Sequence, residues 1–250
     1  MTWMGQLLRG DLGTSLLSNT SVAGMVADRL GPTINIAMMT ITISVLLAVP
    51  MGVIAAWRHR TWVDFLVMSF SVLGFSVPVF VIGYILIQIF AIELRWVPVQ
   101  GYKAPAPSDG FGAFFSRAIL PSLTLATIYI ALIARMTRAS MLEVLGEDYI
   151  RTARAKGVRE NVVLFRHALR NAAVPILTII GTGFALLISG VVVTESVFNI
   201  PGIGRLTVDA ILARDYPVIQ AMILLTAGIY VFVNLLVDVS YSFFDPRIRY

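Results

Sequence analysis

The densest charge in this chain falls in one stretch, residues 143–170, between two apolar runs: Glu143, Glu147, Asp148, Arg151, Arg154, Lys156, Arg159, Glu160, Arg166 and Arg170. Recognition is the chemistry open to it, because the pieces of a reaction centre are missing. There is no cysteine, so disulfides and thiolate metal sites are excluded. The two histidines, His59 and His167, stand too far apart in sequence to suggest a metal site. No Gly-x-x-x-x-Gly-Lys-[Ser/Thr] occurs, so this chain is not expected to hydrolyse ATP. No Gly-x-Ser-x-Gly nucleophile turn occurs either.

The local pattern predicts two short helices with a hinge. Asp148 suits an N-cap, Tyr149–Lys156 is rich in helix formers, and Gly157 suits a left-handed terminator. Glu147 and Arg151 stand i,i+4 in the favourable order. After the glycine, Val158, Val162, Phe165 and Leu169 fall on one stripe, with Arg159, Arg166 and Arg170 beside it. Ala153 and Ala155 keep the first helix slim enough to enter a groove on another protein. A generic basic loop that only binds anionic headgroups is the plainer reading. Small residues alternating with charges, and signals at both helix ends, favour a protein partner.

The elements that carry this loop are membrane spans. Of 250 residues, 58% are hydrophobic and 13% charged, against about one quarter charged in soluble domains. Residues 33–57, 65–92, 118–134, 171–194 and 216–237 contain no Asp, Glu, Lys or Arg. A helix needs about 20 apolar residues to cross a bilayer, so five spans fit and the chain reads as all-α. Gly74, Pro78 and Gly83 predict a kink or tilt in the second run rather than a second crossing. Pro121 is expected to open the third span as a first-turn proline. Residues 93–117 read as an external loop rich in proline and glycine.

Twelve Lys/Arg (Arg58, Arg60, eight from Arg135 to Arg170, Arg247 and Arg249) fall on one side of this topology, against seven on the other. The positive-inside rule then puts residues 143–170 and the C-terminus in the cytoplasm. That accounts for the net charge of +5 without nucleic acid. The division expected is an external segment at 1–32, a membrane domain at 33–245 with a cytoplasmic loop at 141–171, and a tail at 246–250. An odd span count leaves residues 1–32 outside with no apolar signal segment to carry them, so an earlier helix is expected to be missing, through a truncated or misassigned start.

Tyr149-Ile-Arg-Thr-Ala-Arg-Ala-Lys-Gly157, with Arg135-Met-Thr-Arg-Ala-Ser-Met-Leu-Glu-Val-Leu-Gly-Glu-Asp148 before it, resembles the cytoplasmic coupling loop of ABC importer permeases. The likeness is to the dipeptide, oligopeptide and nickel branch, in particular the first of its two permease subunits. Gly10-Asp-Leu-Gly-Thr-Ser15, Thr194-Glu-Ser-Val-Phe-Asn-Ile-Pro-Gly-Ile-Gly-Arg205, Arg214-Asp-Tyr-Pro-Val-Ile-Gln220, Asn234-Leu-Leu-Val-Asp238 and Asp245-Pro-Arg-Ile-Arg249 extend it over nearly the whole chain. Arg151-Thr-Ala153 replaces the general Glu-Ala-Ala, and His167-Ala-Leu-Arg170 the later Ile-x-Leu-Pro, as in the peptide branch.

The resemblance implies the type I importer permease fold (MetI-like), with five spans here of a usual six, in a bacterial or archaeal cytoplasmic membrane. It implies an ATP-driven, binding-protein-dependent importer of dipeptides or oligopeptides, in which this chain forms half of the pathway. A second permease subunit, two ATP-binding subunits and an extracytoplasmic solute-binding protein are the implied partners. No cofactor or metal is expected on this chain, since ATP and Mg belong to the ATPases. Contact with the ATPase is expected at Glu147, Tyr149, Ile150, Arg151, Ala153, Arg154, Ala155, Lys156 and Gly157. Glu195, Pro201, Gly202 and Gly204 read as an external gate or re-entrant segment. An ion-coupled secondary transporter or channel is the alternative, set back by spans clean of charge and by the absence of visible internal symmetry.

Overall fold

A computed structural model describes residues 10–105 and 111–244. Arg9, Pro107, Gly110, the Asp245–Arg249 signature and the 246–250 tail lie outside the described residues. Among those described, the regular elements are helices, with an isolated antiparallel bridge between Thr14 and Ser21. They are α1 (Val22–Trp57), α2 (Trp62–Ser76), α3 (Val79–Glu93), α4 (Phe111–Leu145), α5 (Asp148–Ala155), α6 (Glu160–Asn171), α7 (Ala173–Gly190), α8 (Val192–Val197), α9 (Ile203–Leu212) and α10 (Tyr216–Phe244).

Three helices are long and apolar enough to cross a membrane alone: α1, α4 and the 216–241 part of α10. The count reaches five when the bent pairs α2–α3 and α6–α7 each make one span. That agrees with the five charge-free runs, although the boundaries differ. α1 opens at Val22 and passes through Gly31-Pro32, a pair of turn-forming residues, because Val22 and Val26, one turn apart, are buried. Burial of an apolar face outweighs the single hydrogen bond that a proline removes. α4 likewise begins at Phe111, so Pro121 sits inside the helix rather than in its first turn, and helix takes up part of the loop expected at 93–117.

The second apolar run bends by 103° between α2 and α3, well beyond a kink. Pro78 forces the residue before it out of helical geometry. Val77 accordingly holds φ −95 and ψ 125, and its N–H closes α2 onto the Leu73 carbonyl. α6 and α7 meet at 63°.

The chain divides into two compact units. One combines Met1–Met39, Val79–Leu125 and Ala185–Val231. Its interior includes Val22, Ile36, Ile200, Ile203 and the buried Glu195. The other combines Thr40–Pro78, Ala126–Phe184 and Phe232–Tyr250. There Val53, Ala56, Met141, Ile150, Val163, Leu164, Ala168, Ala172 and Ile176 form one core cluster, and Ala48, Ala126, Ile130, Ile133 and Ala134 another. Small residues let helices approach closely, as spans without a hydrophobic driving force require. A Cβ on Gly52 of α1 would stand 2.5 Å from the Thr137 Cβ of α4.

Candidate functional site: a surface helix and a buried glutamate

In the second unit, α5 follows α4 after Gly146 and Glu147. Glu147 takes the extended N-cap conformation, φ −71 and ψ 148, so Asp148 is the first helical residue rather than the cap. Arg151 pairs at 3.2 Å with Asp148, not with Glu147. Both partners are exposed, and such a pair is worth ~0.5 kcal/mol at most. Gly157 ends the helix as expected, at φ +76, a left-handed conformation that a side chain would oppose. The Gly157 N–H donates to the Arg154 carbonyl and the Val158 N–H to the Ala153 carbonyl, satisfying two terminal acceptors. Arg154 then reaches across the hinge to Glu160 at 2.7 Å.

α5 has two faces. Ile150 is fully buried among Val53, Ala56, Met141 and Val163, and Ala153 packs half-buried against the same cluster. Glu147, Tyr149, Arg151, Arg154, Ala155, Lys156 and Gly157 are exposed. The nine residues of the expected contact therefore split: seven face outward, and Ile150 and Ala153 seat the helix on its own chain. Tyr149 keeps 43% of its surface open. Partial burial pushes its hydroxyl up from the ordinary tyrosine range, against a hydrogen bond with Asn171 and with the Glu147 charge adding to the rise. The ring therefore stays neutral at physiological pH.

α6 departs from its expected stripe. Val163, Leu164 and Ala168 are buried, whereas Val162 and Phe165 are 37% and 53% exposed. The cause is a π-helical stretch, Val163–Ala168, whose wider turn rotates the apolar face away from a 3.6-residue period.

In the first unit, Glu195 on α8 is fully buried. The Thr33 hydroxyl donates to its Oε1 at 2.6 Å, and the Arg205 N–H to its Oε2 at 2.8 Å. Thr33 Oγ1 also accepts the Ile203 N–H at 2.9 Å. The carboxylate thus satisfies the otherwise orphan amides at the start of α9, where the helix dipole favours negative charge. A Cβ on Gly202 would collide with that carboxylate, and one on Gly204 would meet Glu195 Oε2 at 3.0 Å and the Val192 Cα at 2.9 Å. The Glu195, Pro201, Gly202 and Gly204 motif is therefore one packed turn. Burial pushes the Glu195 carboxyl up, opposed by Thr33, by the Arg205 and Gly204 amides and by the Arg29 charge.

Sequence reasoning missed Thr33 and the Ser15–Asp215 contact. Asp215 accepts the Ser15 hydroxyl at 2.5 Å and the Leu16 N–H at 3.2 Å, both side chains being almost fully buried. A lone Thr or Ser gives no periodic signal. Its partner lies far along the chain, so only the fold joins them. Several hydroxyls within the spans, by contrast, bond their own helix: Ser44 to Thr40, Ser71 to Val67, Thr124 to Leu120 and Thr178 to Val174, each at the i−4 carbonyl. Among the described residues no group of His, Asp or Glu could hold a metal ion.

Comparison with known proteins gives concordant results. Residues 48–250 match the family described as binding-protein-dependent transport system inner membrane component. A probable peptide ABC transporter permease from Sinorhizobium fredii is 55% identical over 248 residues, covering 99% of this chain and 79% of that protein. The glutathione transport system permease of Escherichia coli K12 is 45% identical over 249 residues, covering 99% and 78%. Among solved structures, the inward-facing MetNI methionine ABC transporter matches with a TM-score of 0.70 at 14% identity, over 88% of this chain and 96% of the other. An amino acid ABC transporter solved with histidines matches at 0.55 and 18% identity, over 90% and 94%. At such identities the structures speak for the fold alone.

Proposed function

Because this chain belongs to the binding-protein-dependent transport system inner membrane components, we propose that it carries small peptides or peptide-like solutes across the membrane, driven by separate ATPase subunits that dock on α5. It is an ABC-type permease, and the ion-coupled alternative gives way to that reading. Peptide-class cargo is supported by the two relatives, one a probable peptide permease and the other a glutathione permease. A homologous second permease subunit, two ATP-binding subunits and an extracytoplasmic solute-binding protein complete the proposed assembly. ATP and Mg are used on the ATPases.

The observation that carries the docking proposal is the split of α5. Ile150 locks the helix to the chain's own core, while Tyr149, Ala155 and Lys156 are exposed on its outer side, where a partner can meet them. A helix held so firmly passes on displacement instead of absorbing it. ATP-driven closure of two ATPases moves the docked helices, and the permease exchanges inward- and outward-open states, an equilibrium biased from a distant site. Arg151, Arg154 and Lys156 supply steering and on-rate more than affinity. The Glu195 and Pro201–Gly204 turn serves as a rigid part of the external gate.

The test is reconstitution in liposomes with the ATPases and the solute-binding protein, supplying labelled glutathione and a labelled dipeptide in parallel. Uptake of one of them that needs internal ATP supports the reading. A photocrosslinker at Tyr149 should capture the ATPase. Uptake without any ATPase present would overturn the proposal.

A further inference from the structure

Asp64, in the first turn of α2, is 5% exposed and bound on every side. Arg138 of α4 grips it with two donors, Nε to Oδ1 at 2.5 Å and Nη2 to Oδ2 at 2.8 Å. The Arg60 N–H donates to Oδ2 at 3.0 Å. His59 Nδ1 lies 3.1 Å from Arg138 Nη2 and 3.2 Å from Asp64 Oδ2, within hydrogen-bond distance of both. Arg60 itself holds φ +62, a conformation that a residue with a side chain keeps only when its surroundings fix it. A two-pronged arginine–carboxylate pair fixes orientation as well as charge. The cluster therefore ties the tight turn between α1 and α2 to the inner part of α4.

Its position gives it a role. Val53 and Ala56 of α1 and Met141 of α4 form the wall on which Ile150 of α5 is seated. Met141 lies three residues after Arg138 on α4, and Ala56 lies just before the turn that Asp64 anchors. Gly52 already presses against Thr137, the neighbour of Arg138. Without the clamp, α1 and α4 would be held together at this end by the Gly52–Thr137 approach and the apolar packing of Val53, Ala56 and Met141, with no polar tie to resist a push on Ile150.

We propose that Asp64 and Arg138 are positioning residues for transport: they hold α1 and α4 as one body, so that displacement of α5 moves both helices instead of prying them apart. The inference rests on α5 docking an ATPase. Asp64→Asn leaves the partly buried Arg138 without its counter-charge and is the severe variant. The double variant Asp64→Asn/Arg138→Gln removes both charges, keeps hydrogen-bonding groups in place and is the informative one.

Both are measured in the full reconstituted complex, as glutathione or dipeptide moved per ATP hydrolysed, together with capture of the ATPase by a crosslinker at Tyr149. The expected result for the double variant is normal assembly and normal capture, with solute moved per ATP falling several-fold and ATP hydrolysis retained. An unchanged ratio at normal capture overturns the proposal and leaves the docking reading standing. Loss of assembly in the double variant also overturns it, by making the pair a requirement for folding. Absence of capture in the parent chain removes the docking reading, and the clamp's role in transport with it.

Discussion

At Gly202 the backbone leaves no place for a side chain, because the Glu195 carboxylate fills the space where one would begin. The glycine and the glutamate are one device, since the carboxylate can reach the amides of α9 only past a residue without a Cβ. Gly202→Ala should therefore act as an overpacking substitution, costing about 1–3 kcal/mol. It should show as a lowered unfolding temperature of the purified protein in detergent. An unchanged unfolding temperature would mean that the turn yields freely and is no rigid gate element. Glu195 also gives a pH dependence of definite sign. Burial raises its folded pKa above the usual 4.5. Its contribution to stability is then fully present below 4.5 and is lost as pH rises through the folded value, because the unfolded carboxyl ionises first. Glu195→Gln should flatten this part of a stability-against-pH curve. A curve with the same slope in both proteins would place its origin at another group.

At the scale of elements, α5 shows why the identity of a residue and its direction must be separated. Ala153 and Ala155 read alike in sequence, as slim positions on a groove-entering helix. In the structure Ala153 packs on the core and Ala155 faces out. Two glutamate substitutions should consequently fail in different ways. Ala153→Glu forces a charge against Val53 and Met141 and lowers thermal stability. Ala155→Glu leaves stability intact and reduces uptake by obstructing the ATPase. Equal loss of stability in both, or normal uptake with Ala155→Glu, would contradict the assignment of faces. Ile150→Ala leaves a cavity at the root of the helix, with a cost of about 2–5 kcal/mol. Uptake should fall with it even though Ile150 touches no partner. Val162 and Phe165 carry the opposite lesson. Their exposure was illegible because it depends on a π-helical stretch, and no residue in Val163–Ala168 announces a change of helical period.

For the whole molecule, what sequence made legible was what a single run of residues decides alone. Five charge-free runs mark where the candidate spans lie, and Gly157 marks a hinge by its own conformational freedom. Helix boundaries at Val22 and Phe111 were not legible, since burial by distant segments carries those helices across Gly31-Pro32 and past Pro121. The Glu195, Asp215 and Asp64 contacts were hidden for the same reason: each joins residues far apart in the chain. Orientation is different again, because it is decided by the membrane as much as by the fold. From the charge asymmetry we propose that residues 143–170 lie in the cytoplasm and the loop before α4 outside, each Lys or Arg biasing its segment toward the inner face. A chain without cysteine lets this be tested without a background. Lys156→Cys and Ala104→Cys each introduce one thiol at an exposed position on opposite sides of the expected topology. In intact cells a membrane-impermeant maleimide should label Cys at 104 and spare Cys at 156, and permeabilisation should expose both. Labelling of position 156 in intact cells would put α5 on the outer face, where no ATP is available to move it, and the proposed transport mechanism could not operate.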